Sequence, residues 1–189
     1  MYSGIEKDVI DEIKAWSEHA LEVPNKYFNN LPACPYARSA WKDDKVDFVF
    51  KYCAHKQDIY TAVSCFEDTK DLVIIVDFAF QERPDDFDED LKQLNNAISQ
   101  GIFIDKDIWL MGFHPNDEPS DFVQEVTFDY ETDTEYSMIF VQRLSKLQEA
   151  ADKLDKKGYY DSYDEEYQAS DIYEKREKLY RRLKHGDET

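Results

Sequence analysis

The chain has 189 residues, 42% of them apolar and 15% aromatic, with a formal net charge of −19. That is apolar enough for a packed domain, too apolar for a disordered acidic tail, and too acidic for direct binding to nucleic-acid phosphates or an anionic membrane surface. No apolar run approaches the roughly 20 residues that span a bilayer, and the start, "MYSGIEKDVI", is charged and helical in pattern, so a soluble cytoplasmic protein is expected.

Ile5, Val9, Ile13, Trp16 and Ala20 recur at helical spacing, with Ser3 as N-cap and Pro24 as stop, which predicts a helix over residues 4–22. Residues 23–44 carry Pro24, Pro32, Pro35, Asn29-Asn30 and Asp43-Asp44, and read as a long irregular connection. "KVDFVFKY" alternates as a strand, and a short helix with Ile59, Val63 and Phe66 on one side follows. "DLVIIVDFAF" is a β-branched run expected at the centre of a sheet, buried on both faces. Phe87, Leu91, Leu94 and Ile98 mark a helix ended by Gly101, and "KDIWLMGFHP" reads as a strand closing at His114-Pro115.

"FVQEVTFDYETDTEYSMIFVQRL" predicts a hairpin turning at "ETDT", followed by a helix with Leu144, Leu147, Ala151 and Leu154 that Gly158 ends. The tyrosine-rich, charged remainder has a thin stripe of Ile172, Leu179 and Leu183. The expected organisation is one α+β domain over 1–158, a central sheet of four to five strands packed by helices, with residues 159–189 as a C-terminal helix or tail.

Charge is concentrated: residues 82–135 hold 16 acidic and 3 basic side chains, so −13 of the total lies there. The bland reading is a solubilising surface; the others are mimicry of nucleic acid and divalent-cation binding, though "ERPDDFDED" lacks the EF-hand glycine. Its acids suit the first turn of a helix, where they complement the dipole.

Three cysteines, Cys34, Cys53 and Cys65, form no CxxC pair and fit free thiols, with Cys65 expected in the core. No HExxH, G-x-S-x-G, zinc-spaced cysteine pair or glycine-rich phosphate loop is present. What remains is Cys34 in the long connection and His114 at a strand end. A thiol becomes a nucleophile as thiolate, and a neighbouring imidazole or cation lowers its pKa. Arg38, four residues on, suits that cation or an anion anchor, and Asp117 and Glu118 follow His114 closely enough to orient its ring. Thiolate plus imidazole also suits zinc or iron, with Cys53 and His55 as further donors, though a first shell wants three or four ligands. For each residue the competing reading is structural: a turn cysteine, a turn histidine, a surface accident.

"AWSEHALEV", "CPYARSAW", "DLVIIVDFAF", "FDEDLKQL", "GFHPNDEPSDF" and "SKLQEAADKL" stand in an order that resembles the bacterial family catalogued as domain of unknown function 1415, over about residues 9–157. The resemblance points to Cys34, Pro35, Arg38, His114 and Pro115 and implies no particular reaction. This chain departs from it after the His-Pro: "YETDTEYSMIFVQRL" holds neither the family's Arg-Ser-Pro nor its further histidine. The function expected is a small enzyme or a cofactor- or metal-binding protein with a Cys34/His114 site and a small anionic ligand. The alternative is a non-enzymatic acidic accessory protein, phage-borne or marine, that binds a basic protein partner. A third reading is assembly into a homo-oligomer through the C-terminal helix.

Overall fold

Ser3 opens the first helix. Its Oγ accepts from the Glu6 amide at 3.3 Å while the Glu6 carboxylate accepts from the Ser3 amide at 2.6 Å, a reciprocal capping box. In the computed structural model, which describes residues 2–53, 56–79, 84–116, 136–161 and 171–186, α1 spans Gly4–Trp16 and continues as a wide π turn, Ser17–Leu21. The expected helix to residue 22 therefore changes its winding after Trp16. Val9, Ile13 and Trp16 are buried, but Ile5 is 70% exposed, because the buried stripe begins only at Val9.

The stretch 23–44 is more ordered than its prolines suggest. Pro24–Asn25 (β1) and Leu31–Pro32 (β2) pair antiparallel around a 3-10 turn, and Ala37–Lys42 forms a short helix, α2. Asn29 and Asn30 take positive φ in the return, a backbone region that asparagine tolerates better than most residues.

The main sheet has four strands: β3 (Val46–Lys51), β4 (Leu72–Asp77), β5 (Ile108–Phe113) and β6 (Ser137–Arg143), in spatial order β3-β4-β6-β5. β3 and β4 are parallel, and β6 is antiparallel to both β4 and β5, so β3, β4 and β5 all point the same way. Helices α3 (Lys56–Ser64), α4 (Pro84–Ser99), α5 (Leu144–Asp155) and α6 (Asp171–His185) complete the expected α+β architecture. β6 falls on the expected second arm of the hairpin, but β4 and β5 occupy both of its sides, so it does not pair as a hairpin with the segment before it; that segment and the "ETDT" turn lie outside the described residues.

Both faces of the sheet are covered. On one, Val46, Phe48, Ile74, Val76, Met138 and Phe140 pack under Val9, Ile13 and Trp16 of α1. On the other, Val73, Ile75, Leu110, Ile139 and Val141 pack under Ile59 and Val63 of α3, Leu94 and Ile98 of α4 and Leu179 of α6. Ile74, Ile75 and Val76 are each at most 1% exposed, and each such side chain contributes about 1.5–3 kcal/mol by leaving water. β4 is thus the central strand that its sequence predicts. Cys65, expected in the core, is exposed: it follows the last residue of α3, and the next residue, Phe66, takes the inward position at 3% exposure.

Side chains cap the two sheet edges. On β5, the Asn95 amide of α4 donates to the Leu110 carbonyl at 2.9 Å and accepts from the Leu110 amide at 3.1 Å, standing in for a neighbouring strand. On β3, Asp47 accepts from the Phe48 amide at 2.9 Å, and Tyr2 donates to Asp47 at 2.7 Å and to the Phe48 carbonyl at 3.3 Å. Partial burial and the Asp47 carboxylate push the Tyr2 phenol up to about 12. Such edges resist pairing with another chain.

One end of the sheet is sealed. Arg143, at the end of β6, donates to the carbonyls of Lys70 (3.0 Å), Lys106 (2.7 Å) and Glu67 while its guanidinium covers the Phe66 ring. The opposite end carries the carboxyl termini of β3, β4 and β5.

Candidate functional site at the strand ends

The three residues singled out in the sequence fall in different surroundings. Cys34 follows β2, its amide donating to the Leu21 carbonyl at 2.8 Å, and its half-buried side chain packs into the apolar cluster under α1. Burial raises its thiol pKa; the Tyr36 and Ala37 amides oppose that shift, and the negative charge of Glu22 adds to it. This is the opposite of the depressed pKa that an activated thiol needs.

Arg38 is committed elsewhere. Its Nε lies 3.1 Å from the Glu22 carboxylate, whose side chain is 6% exposed while that of Arg38 is 75% exposed. Ser17 Oγ donates to Glu22 at 3.3 Å and accepts from the Trp41 indole at 2.9 Å. Arg38 thus neutralises a buried carboxylate from the solvent side.

His114 is 5% exposed, and its ring lies over Phe87 of α4, with centroids 5.4 Å apart. Cys34 and His114 therefore pack into different layers, the first under α1 and the second against α4. The Asn116 amide donates to His114 Nδ1 at 3.1 Å, so that nitrogen acts as an acceptor. Asp117, Glu118 and His55 lie outside the described residues, and Cys53 is exposed.

Strand register brings His114 together with residues that the sequence did not single out. Lys51 is paired with Asp77 across β3 and β4, and Asp77 with Ser137 across β4 and β6. β5 and β6 pair as far as Phe113 and Met138, and the same register carried one residue further would set His114 opposite Ser137. Alternation puts all four on the α4 side of the sheet, since Phe48, Val76, Met138 and Phe113 belong to the cluster under α1. The outcome is a lateral row, Lys51, Asp77, Ser137, His114, at 7%, 6%, 0% and 5% exposure.

The row is polar where its neighbours are apolar. Lys51 Nζ lies 2.5 Å from Asp77 Oδ2, and Asp77 Oδ1 accepts from the Ala79 amide at 2.9 Å, so both carboxylate oxygens are engaged. Ser137 Oγ is buried without a hydrogen-bond partner among the described residues, a costly arrangement that native proteins rarely keep without a reason. Phe87, in the first turns of α4, meets His114, whereas Asn95, two turns on, meets Leu110. α4 therefore runs antiparallel to β5 and begins beside the row. Gly112 makes this approach feasible: a Cβ there would stand 2.5 Å from Phe87 Cε1 and 2.7 Å from Leu91 Cδ2.

Crevices outside the carboxyl ends of parallel strands are where open α/β sheets bind ligands. Among the described residues, no three or more His, Cys, Asp or Glu side chains gather as a metal shell. Two open surface grooves, one along Glu174, Lys178, Arg182 and His185 of α6 and one beside β3 at Tyr2, Trp41 and Lys70, are not lined by residues of the row. No helix of the described residues is long and apolar enough to cross a membrane. Comparison with protein-family models, curated proteins and solved structures gave no match for the chain.

Proposed function

We propose that the protein is a small-molecule-binding protein or enzyme whose site is the strand-end row of Lys51, Asp77, Ser137 and His114. The observation that carries this reading is the Ser137 hydroxyl, wholly buried beside Asp77 in register and without a hydrogen-bond partner among the described residues. The Phe-His-Pro element behind the resemblance to domain of unknown function 1415 delivers His114 to this row. Cys34, with its raised pKa, has its place in packing, and Arg38 in balancing Glu22. A thermal-shift screen of small polar metabolites on the full chain tests the reading. The expected result is a set of ligands that raise the melting temperature of the wild type and lose that effect in Ser137→Ala. Ligands that stabilise both proteins equally would place the site elsewhere.

A second reading, an acidic accessory protein for a basic partner, is favoured by the outward face of α4, where Asp85, Asp86, Asp88 and Glu89 are exposed. It predicts capture of a basic protein that weakens steeply between low and physiological salt. Capture indifferent to salt, or unchanged when these four acids are replaced by Asn and Gln, contradicts it.

A further inference from the structure

The proposed site has a donor inventory that narrows what it can hold. Lys51 is an ammonium with three N–H donors, of which Asp77 takes one. Ser137 brings a hydroxyl that no group among the described residues engages. Both oxygens of the single carboxylate in the row, Asp77, are occupied by Lys51 and the Ala79 amide. Free capacity is therefore donor-rich, and the complementary group is acceptor-rich. All four side chains are more than nine-tenths buried, and away from bulk water hydrogen bonds to a charged acceptor are at their strongest.

Charge around the row limits how much negative charge that group can bear. Lys51 is already balanced by Asp77, and the first turn of α4, which begins beside the row, carries the exposed carboxylates of Asp85 and Asp86. The chain as a whole stands at −19. A phosphate dianion meets more repulsion from these carboxylates than a monocarboxylate, which offers two acceptor oxygens at half that charge.

We infer that the row Lys51–Asp77–Ser137–His114 binds the carboxylate of a small monocarboxylic acid, with Ser137 Oγ and Lys51 Nζ as its principal donors. This rests on the strand-end row being a ligand site, as proposed above.

The experiment is an NMR titration of the full chain with acetate, lactate and benzoate, with inorganic phosphate and glycerol as arms of different chemistry. It follows the backbone amide of Ser137 and the ring protons of His114. The expected result is saturable shifts at both residues with at least one monocarboxylate, weakened roughly tenfold or more in Ser137→Ala, the worth of one hydrogen bond to a charged group. The double variant Lys51→Met/Asp77→Leu, which removes the ion pair without orphaning either charge, is expected to lose the response as well. Saturation by phosphate or glycerol but by no monocarboxylate overturns the carboxylate assignment and leaves the ligand site standing. Shifts with none of the probes overturn both.

Discussion

Lys51 Nζ lies 2.5 Å from Asp77 Oδ2, between side chains that are 6% and 8% exposed. Each residue alone would be a charge buried at the end of a strand; together they form a neutral unit in the same lateral row as Ser137 and His114. Removing one partner leaves the other uncompensated, so Lys51→Met is expected to cost about 3–5 kcal/mol. Lys51→Met/Asp77→Leu, which removes both charges, is expected to recover most of that loss. Urea denaturation of the three proteins checks this, and a single variant as stable as the double one contradicts it.

Gly112 sets the distance between β5 and α4. In Gly112→Ala the added methyl meets the Phe87 ring and Leu91, so α4 must move outward or the rings must turn, at a cost of about 1–3 kcal/mol. Because Phe87 also carries the His114 ring, the His114 ring resonances are expected to move with the loss of stability. Destabilisation with an unchanged His114 environment would separate the packing of Gly112 from the site.

Asn95 closes the β5 edge at Leu110. Asn95→Ala exposes one amide and one carbonyl to pairing with another chain. The expected outcome is a stability loss of about 1–2 kcal/mol and association that grows with protein concentration. Analytical ultracentrifugation reads it; a monodisperse variant over a wide concentration range counts against the capping role.

Burial raises the Cys34 thiol, and Glu22 adds to the shift. A raised pKa means that the folded protein keeps the thiol protonated at pH values where an ordinary cysteine already ionises. Stability from this group is present below the unfolded pKa and is lost as pH rises through the folded one. Alkylation mapped by mass spectrometry near neutral pH is expected to modify the exposed Cys53 and Cys65 first, with Cys34 responding only at higher pH. Cys34 labelled ahead of both would restore it as an activated thiol.

How much of this was legible in the sequence follows from which signals are local. The alternation in 46–50, the β-branched run 72–76, the α4 stripe of Phe87, Leu94 and Ile98 and the Ser3 cap all act within one element, and each is found where the pattern puts it. The helix Ala37–Lys42 was hidden by the prolines before it, and the turn of winding after Trp16 leaves periodicity almost unchanged. His114 was visible through its strand-end position. Its companions were not: Lys51, Asp77 and Ser137 each read as a polar residue closing or opening a strand. Only the order β3-β4-β6-β5, set by long-range pairing, aligns them. The usable signal was a lysine and an aspartate ending two largely apolar strands.

On the reading proposed above, the Ser137 hydroxyl serves a ligand and not the fold. Urea unfolding of ligand-free Ser137→Ala against the wild type tests it most directly. A hydroxyl without a partner contributes nothing to folding, so the variant is predicted to be at least as stable, within about 0.5 kcal/mol. A loss of about 1 kcal/mol or more, the ordinary worth of an intramolecular hydrogen bond, would show that the hydroxyl is already engaged in the fold and contradict the account.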